Sequence, residues 1–155
     1  MDVEIRGAAG QQDIATCRDL MNEYAAWLKD GICLQGFAEE MAGLPGKFAP
    51  PQGGLLIAFV DNEPAGCIAF RKFDDTTAEA KRFWVRPQFR KHGVGVALLK
   101  RMQQAVRTAG YQRMVFDTLP KMADALKLYD ALGFKRIDSY YDNVLPGAMC
   151  FEKRF

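Results

Sequence analysis

A chain of 155 residues, 49% hydrophobic and 26% charged, has the makings of one globular domain with a sizeable core, so residues 1–155 are read as a single domain. Its formal net charge of +2 is too small to suggest the clustered basic face that nucleic acid requires. The cysteines Cys17, Cys33, Cys67 and Cys150 lie far apart beside a single histidine, which leaves no zinc framework. The lack of a signal-like start or an apolar run of ~20 residues points to a cytoplasmic protein with no membrane partner.

Val3 to Arg6 reads as a first strand, broken by Gly7 to Gly10. From Asp13, taken as an N-cap, apolar residues recur at Ile14, Cys17, Leu20, Met21, Tyr24, Trp27 and Leu28. That is the spacing of a helix closed by Gly31, with Glu23 and Asp30 in solvent. Gly31 to Gly54 is irregular apart from a short helix at Ala38 to Ala42. Its apolar members Ile32, Leu34, Phe37, Leu44 and Phe48 mark it as a lid on the substrate side. Gly54 to Val60 and Ala65 to Arg71, joined by Asp61-Asn-Glu-Pro64, form a hairpin, and Asp74-Asp75 turns into a strand from Ala78 to Val85. A helix follows with Val94, Ala97, Leu98, Met102, Ala105 and Val106 on one face, ending at Gly110. The strand Met114 to Thr118, reached through that crossover, should lie parallel to Ala78 to Val85. Met122 to Leu132 reads as a helix closed by Gly133, and strands near Phe134 to Asp138 and Ala148 to Glu152 finish the chain. The fold class is α/β: a three-layer α/β/α domain around a central mixed sheet.

Between the third strand of the meander and its crossover helix stands Arg90-Lys-His-Gly-Val-Gly95. A helix N-terminus offers amides without intrahelical acceptors, and Gly93 and Gly95 lack the β-carbons that would hold a phosphate away. Arg90, Lys91 and His92 add mobile positive charge at the rim. The dinucleotide pattern Gly-x-Gly-x-x-Gly fails at Leu98, and the Gly-x-x-x-x-Gly-Lys-Ser/Thr pattern is absent. What remains, Arg-x-x-Gly-x-Gly after Phe-Trp-Val-Arg-Pro, resembles the acetyl-CoA loop of the GNAT superfamily of N-acetyltransferases. The run Met122 to Phe134, carrying Ala, Leu-Tyr and Gly-Phe, is similar to that family's second signature. Leu-Pro-Gly at Leu44, Glu79-Ala-Lys-Arg, Asp117-Thr-Leu-Pro and Tyr140 to Gly147 resemble a bacterial group within it whose substrates are mostly unassigned.

The resemblance implies a GNAT-like acyl-CoA acyltransferase fold and direct acetyl transfer from acetyl-CoA to a primary amine in a ternary complex, without a metal. It implies cofactor binding by Phe83, Trp84, Val85, Arg90, Lys91, His92, Gly93, Val94, Gly95 and Val96. The Phe83 to Val85 backbone would hold the pantetheine arm, and an amide near Val85, where the parallel strands splay, would polarise the thioester oxygen. Tyr129 matches the family's general acid, although its spacing also suits a core aromatic. An alkylammonium with a pKa of roughly 10 needs a base. Glu79 is the candidate, on the cofactor strand and by alternation on one face with Lys81, Phe83 and Val85; its other reading is an exposed ion-pair member. Lys121, Met122 and Asp124 depart from the family's asparagine ahead of the tyrosine helix. The acceptor pocket is expected from the long loop, Tyr24 or Trp27, and Tyr140-Tyr141-Asp142-Asn143. There Arg71 and Arg82 would recognise the carboxylate of an amino-acid-like small-molecule amine. A homodimer is admitted. Acetylation of a protein N-terminus or lysine, and a catalytically silent acyl-CoA-binding module, are the competing readings.

Overall fold

The computed structural model describes residues 2–28, 36–142 and 145–155. The expectations for Asp30, Gly31, Ile32, Cys33, Leu34 and Asn143 fall outside them. The strands are β1 (Val3–Gly7), β2 (Gly54–Val60), β3 (Glu63–Lys72), β4 (Thr77–Val85), β5 (Arg113–Thr118), β6 (Lys135–Ile137) and β7 (Met149–Arg154); the helices are α1 (Gly10–Leu28), α2 (Phe37–Ala42), α3 (Val94–Thr108) and α4 (Leu126–Ala131). One seven-stranded sheet runs β1-β2-β3-β4-β5-β7-β6. Its neighbours are antiparallel except β4 and β5, which α3 joins as a parallel pair.

Period-2 alternation divides the core between the two faces of this sheet. Leu56, Ala58, Ile68, Phe70, Ala78, Ala80, Met114 and Phe116 pack under α3 with Leu98, Leu99, Met102 and Val106. Leu55, Ile57, Cys67, Ala69 and Trp84 pack under α1 with Cys17, Leu20 and Met21. The three-layer expectation therefore holds. Asp61 and Asn62 take φ of 48° and 70°, the left-handed pair that matches a tight hairpin turn to the twist of β2 and β3.

Several local expectations are corrected. α1 begins at Gly10, with Asp13 inside its first turn rather than capping it. The Asp13 carboxylate accepts the Ala9 amide at 2.9 Å and Arg6 at 3.0 Å. The described part of the expected lid is packed wall: Phe37, Met41, Leu44 and Phe48 are buried in the α1-side core. Met122 to Leu132 is not one helix, because a 3-10 segment, Pro120–Ala125, kinks at Met122 before α4 starts. Strand alternation in β4 also fails midway. Cys67 faces Trp84 but Ala69 faces Lys81, so β4 carries one extra residue, and Arg82 sits at φ 61°. This bulge sends Glu79 and Lys81 to the α1 face while Phe83 and Val85 turn towards α3.

Candidate active site

The parallel ladder between β4 and β5 stops at Glu79 opposite Val115, well before Val85, where the splay was expected. Beyond it the two strands diverge around a cavity of about 30 Å³ lined by Tyr24, Lys81, Phe83, Asp117, Thr118 and Tyr129, among others, room for about one water. By alternation Phe116 and Thr118 share the α3 face with Tyr129, while Asp117 looks the other way with Lys81.

A cleft of about 460 Å³ opens next to it, bounded by Phe83, Trp84, Val85, Arg90, Lys91, Gly93, Gly95 and Val96. Trp27, Lys121, Met122, Ala125 and Leu128 complete its walls, and Phe83 and Met122 border both spaces. Of the residues expected at the cofactor, His92 is exposed and outside these walls, and the Val94 side chain is buried in the core. Lys91 at φ 67° and Gly93 at φ 82° turn the chain into α3. The first helical bond is Ala97 N–H to Gly93 carbonyl at 3.0 Å, and no side chain caps the end. The amides of Val94, Gly95 and Val96 thus precede any intrahelical acceptor, an arrangement suited to a diphosphate. A β-carbon at Gly95 would stand 3.3 Å from the Phe83 ring and 3.7 Å from Leu128, so this position must stay bare to keep the cleft open.

Arg90 is not mobile charge. Its Nε donates to the Val85 carbonyl at 2.9 Å, and its guanidinium lies 4.8 Å from the Trp84 ring and 5.5 Å from Trp27. Trp27, expected on the acceptor side, belongs to this cleft, where Lys121 donates to its carbonyl and lies 4.8 Å from its ring. Glu23, expected in solvent, accepts Arg86 at 2.7 and 3.0 Å and the Trp84 indole at 3.3 Å.

Tyr129 is 2% exposed among Phe116, Phe134 and Phe151, with ring centroids 4.7 to 6.3 Å away. It is a core aromatic that also lines the cavity between the strands. Burial pushes its phenol above the usual tyrosine range, so it stays protonated at neutral pH and fit to donate. Thr118 is 4% exposed, and its hydroxyl lies beside the Tyr129 phenol without a hydrogen bond of good geometry among the described residues. A ligand atom at the junction would satisfy it.

On the α1 face Glu79 is 4% exposed, not an exposed ion-pair member. Arg71 Nε donates to its Oε1 at 2.9 Å, with Nη2 in ion-pair contact at 2.8 Å, and Tyr140 donates to its Oε2 at 2.6 Å. Tyr141 donates to Asp117 Oδ2. Arg82 is bound to Glu40 at 2.7 and 3.0 Å, so both arginines expected to hold a carboxylate are already engaged. Lys81 is different: among the described residues its nearest carboxylate is Glu79 at 3.9 Å. Burial lowers its ammonium from the usual range against the opposing pull of Glu79. Lys81, Asp117 and Thr118 are the site residues that motif reasoning left without a role. Alternation within Met114 to Thr118 was the available signal, since it separates Asp117 from its neighbours.

Among the described residues no helix is long and apolar enough to cross a membrane, and no three His, Cys, Asp or Glu side chains group as metal ligands would. The family model described as Acetyltransferase (GNAT) family matches residues 17–134. An uncharacterized N-acetyltransferase of Schizosaccharomyces pombe is 33% identical over 150 residues, which cover 96% of this chain and 92% of that protein. N-acetylaspartate synthetase of Danio rerio is 31% identical over 110 residues, covering 70% of this chain and 39% of that protein. The crystal structure of the PaiA N-acetyltransferase of Thermoplasma acidophilum, in complex with coenzyme A, shares the fold with a TM-score of 0.79 at 19% identity, covering 100% of both chains.

Proposed function

The chain belongs to the GNAT family of acetyltransferases and is an acetyl-CoA-dependent N-acetyltransferase, and on that premise we propose that it acetylates the primary amine of a small amino-acid-like molecule. The observation that carries this reading is the gap between β4 and β5, lined by Tyr129 and Thr118 on one face and by Lys81 and Asp117 on the other. Acetyl-CoA lies in the adjoining cleft, its diphosphate on the amides of Val94, Gly95 and Val96 with Lys91 beside them and His92 at the rim. Its pantetheine arm runs along Phe83 to Val85. The thioester then reaches the gap, where Thr118 donates to the acyl end and Tyr129 gives a proton to the departing thiolate. The amine enters from the α1 face. A carboxylate on the acceptor would find Lys81, a half-buried cation whose one ion pair among the described residues is the long 3.9 Å contact with Glu79, and the kinship with an N-acetylaspartate synthetase supports that choice. The reading calls for no metal, nucleic acid or membrane, holds for a monomer or a homodimer, and goes with a cytoplasmic location.

Acidic amino acids, aliphatic diamines and peptides offered with acetyl-CoA, and free coenzyme A thiol as the readout, test it. Thiol release with the amino acids is expected. Release with peptides alone would favour a protein N-terminus or lysine as acceptor. Tight acetyl-CoA binding with no release for any amine would leave an acyl-CoA-binding module.

A further inference from the structure

We propose that Asp117, rather than Glu79, is the carboxylate that takes the proton from the acceptor amine. The inference rests on the β4–β5 gap being the place where acceptor and thioester meet. Two carboxylates stand near that gap on the α1 face, each held by a tyrosine, and their surroundings differ in the property a base needs. Glu79 is 4% exposed and forms no part of the cavity wall. Both of its oxygens are used, one by the Arg71 Nε–H at 2.9 Å, with Nη2 in ion-pair contact at 2.8 Å, and the other by the Tyr140 hydroxyl at 2.6 Å. With both oxygens engaged and neither in the cavity wall, this carboxylate has no free lone pair placed to meet an amine in the gap. Its work is to tie the segment after β6 to the sheet.

Asp117 is half-buried and lines the cavity. Tyr141 donates to Oδ2, while Oδ1 receives no hydrogen bond among the described residues. One oxygen is thus fixed in orientation and the other stays free of protein donors among the described residues, on a side chain that lines the gap, which suits a positioned general base. The groups that face Asp117 are Lys81 from β4, Tyr24 from α1, Tyr140 and Tyr141 from the segment after β6, and Cys150 from β7. The phenols and the thiol are neutral, and Lys81 disfavours a second ammonium beside it, which eases loss of the acceptor's proton.

The acceptor ammonium gives one proton to Asp117 Oδ1, and the freed lone pair forms the N–C bond at the thioester carbonyl. The C–S bond breaks as the tetrahedral intermediate collapses. The sulfur receives the Tyr129 proton, and the nitrogen's second proton restores Tyr129. Asp117 returns its own proton to water.

Two small probes, each carrying the carboxylate that Lys81 would hold, separate base catalysis from scaffolding: glycine, whose amine is protonated at neutral pH, and aminooxyacetate, whose aminooxy group is largely neutral there. With acetyl-CoA and thiol release above the protein-free rate as readout, Asp117→Asn should lower transfer to glycine by about 10²-fold or more and transfer to aminooxyacetate by no more than about threefold. Its acetyl-CoA affinity in calorimetry should match the parent. Asp117→Ser provides the same comparison with a smaller side chain. Glu79→Gln should lower both acceptors alike, because it loosens a structural tie. Equal losses for the two acceptors in both Asp117 variants, undiminished glycine transfer in them, or a glycine-selective loss in Glu79→Gln would overturn the assignment. Absence of thiol release from the parent with either acceptor would instead overturn the gap as the acceptor site, and the inference with it.

Discussion

Thr118 has a buried hydroxyl that lies beside the Tyr129 phenol without a hydrogen bond of good geometry among the described residues, so it contributes little to the fold. Thr118→Val keeps the branched shape and removes the hydroxyl. It should unfold in denaturant within about 1 kcal/mol of the parent while lowering acetyl transfer; a variant much less stable and fully active would show the hydroxyl to be structural. Gly95 carries the opposite logic, since a methyl group there would stand 3.3 Å from the Phe83 ring and narrow the cleft between Phe83 and Leu128. The ring edge can give by the few tenths of an ångström required, so Gly95→Ala should melt near the parent yet bind acetyl-CoA about tenfold more weakly in calorimetry. Unchanged affinity would mean that the arm runs elsewhere. The bare position was legible because glycines before a helix have a backbone meaning of their own. For Thr118 and Asp117 the sequence offered only alternation, which puts them on opposite faces of the strand without saying what either face meets.

At the scale of elements, what the sequence conceals is where regular patterns break. A 3-10 turn and an α-helix place apolar residues at nearly the same spacing, so Met122, Ala125 and Leu128 read as one helix although the backbone changes at Met122. The β4 bulge has no glycine or proline to announce it, and Arg82 holds φ 61° while bound to Glu40 of α2. Long-range ion pairs are equally silent in sequence. Glu23 of α1 and Arg86 beyond β4 are 63 residues apart, and Arg86 holds the Glu23 carboxyl below its usual range. Because Glu23 is 39% exposed at the side chain, solvent limits the pair to roughly 1 kcal/mol. That contribution is complete above the ordinary glutamate value of 4.5 and fades as pH falls through the lower folded value, when the carboxyl takes a proton. Unfolding of Glu23→Gln against pH should therefore show a deficit at neutral pH that closes in acid; a deficit independent of pH would assign the loss to packing against Trp84.

Over the whole molecule, the order of elements, the hairpin, the parallel crossover and the α/β/α layers were legible, because apolar periodicity and turn residues set them locally. The part of the cleft between Phe83 and Val96 was legible as one contiguous stretch, whereas Trp27, Lys121, Met122, Ala125 and Leu128, which complete its walls, come from elsewhere in the chain. The acceptor side is assembled from α1, α2, β4, β5 and the segment after β6, and only the fold brings those together. The sheet's one parallel pair is where the two sides meet, since its early divergence after Glu79 opposite Val115 leaves a passage between the helical layers. Acetyl transfer across that passage, with Tyr129 as the acid on the cofactor side, is the central claim. Tyr129→Phe keeps the ring among Phe116, Phe134 and Phe151 and removes only the hydroxyl. Paired measurement of turnover and acetyl-CoA affinity in this variant should find turnover lower by roughly 10² to 10⁴ with affinity nearly unchanged; turnover equal to the parent's would contradict it.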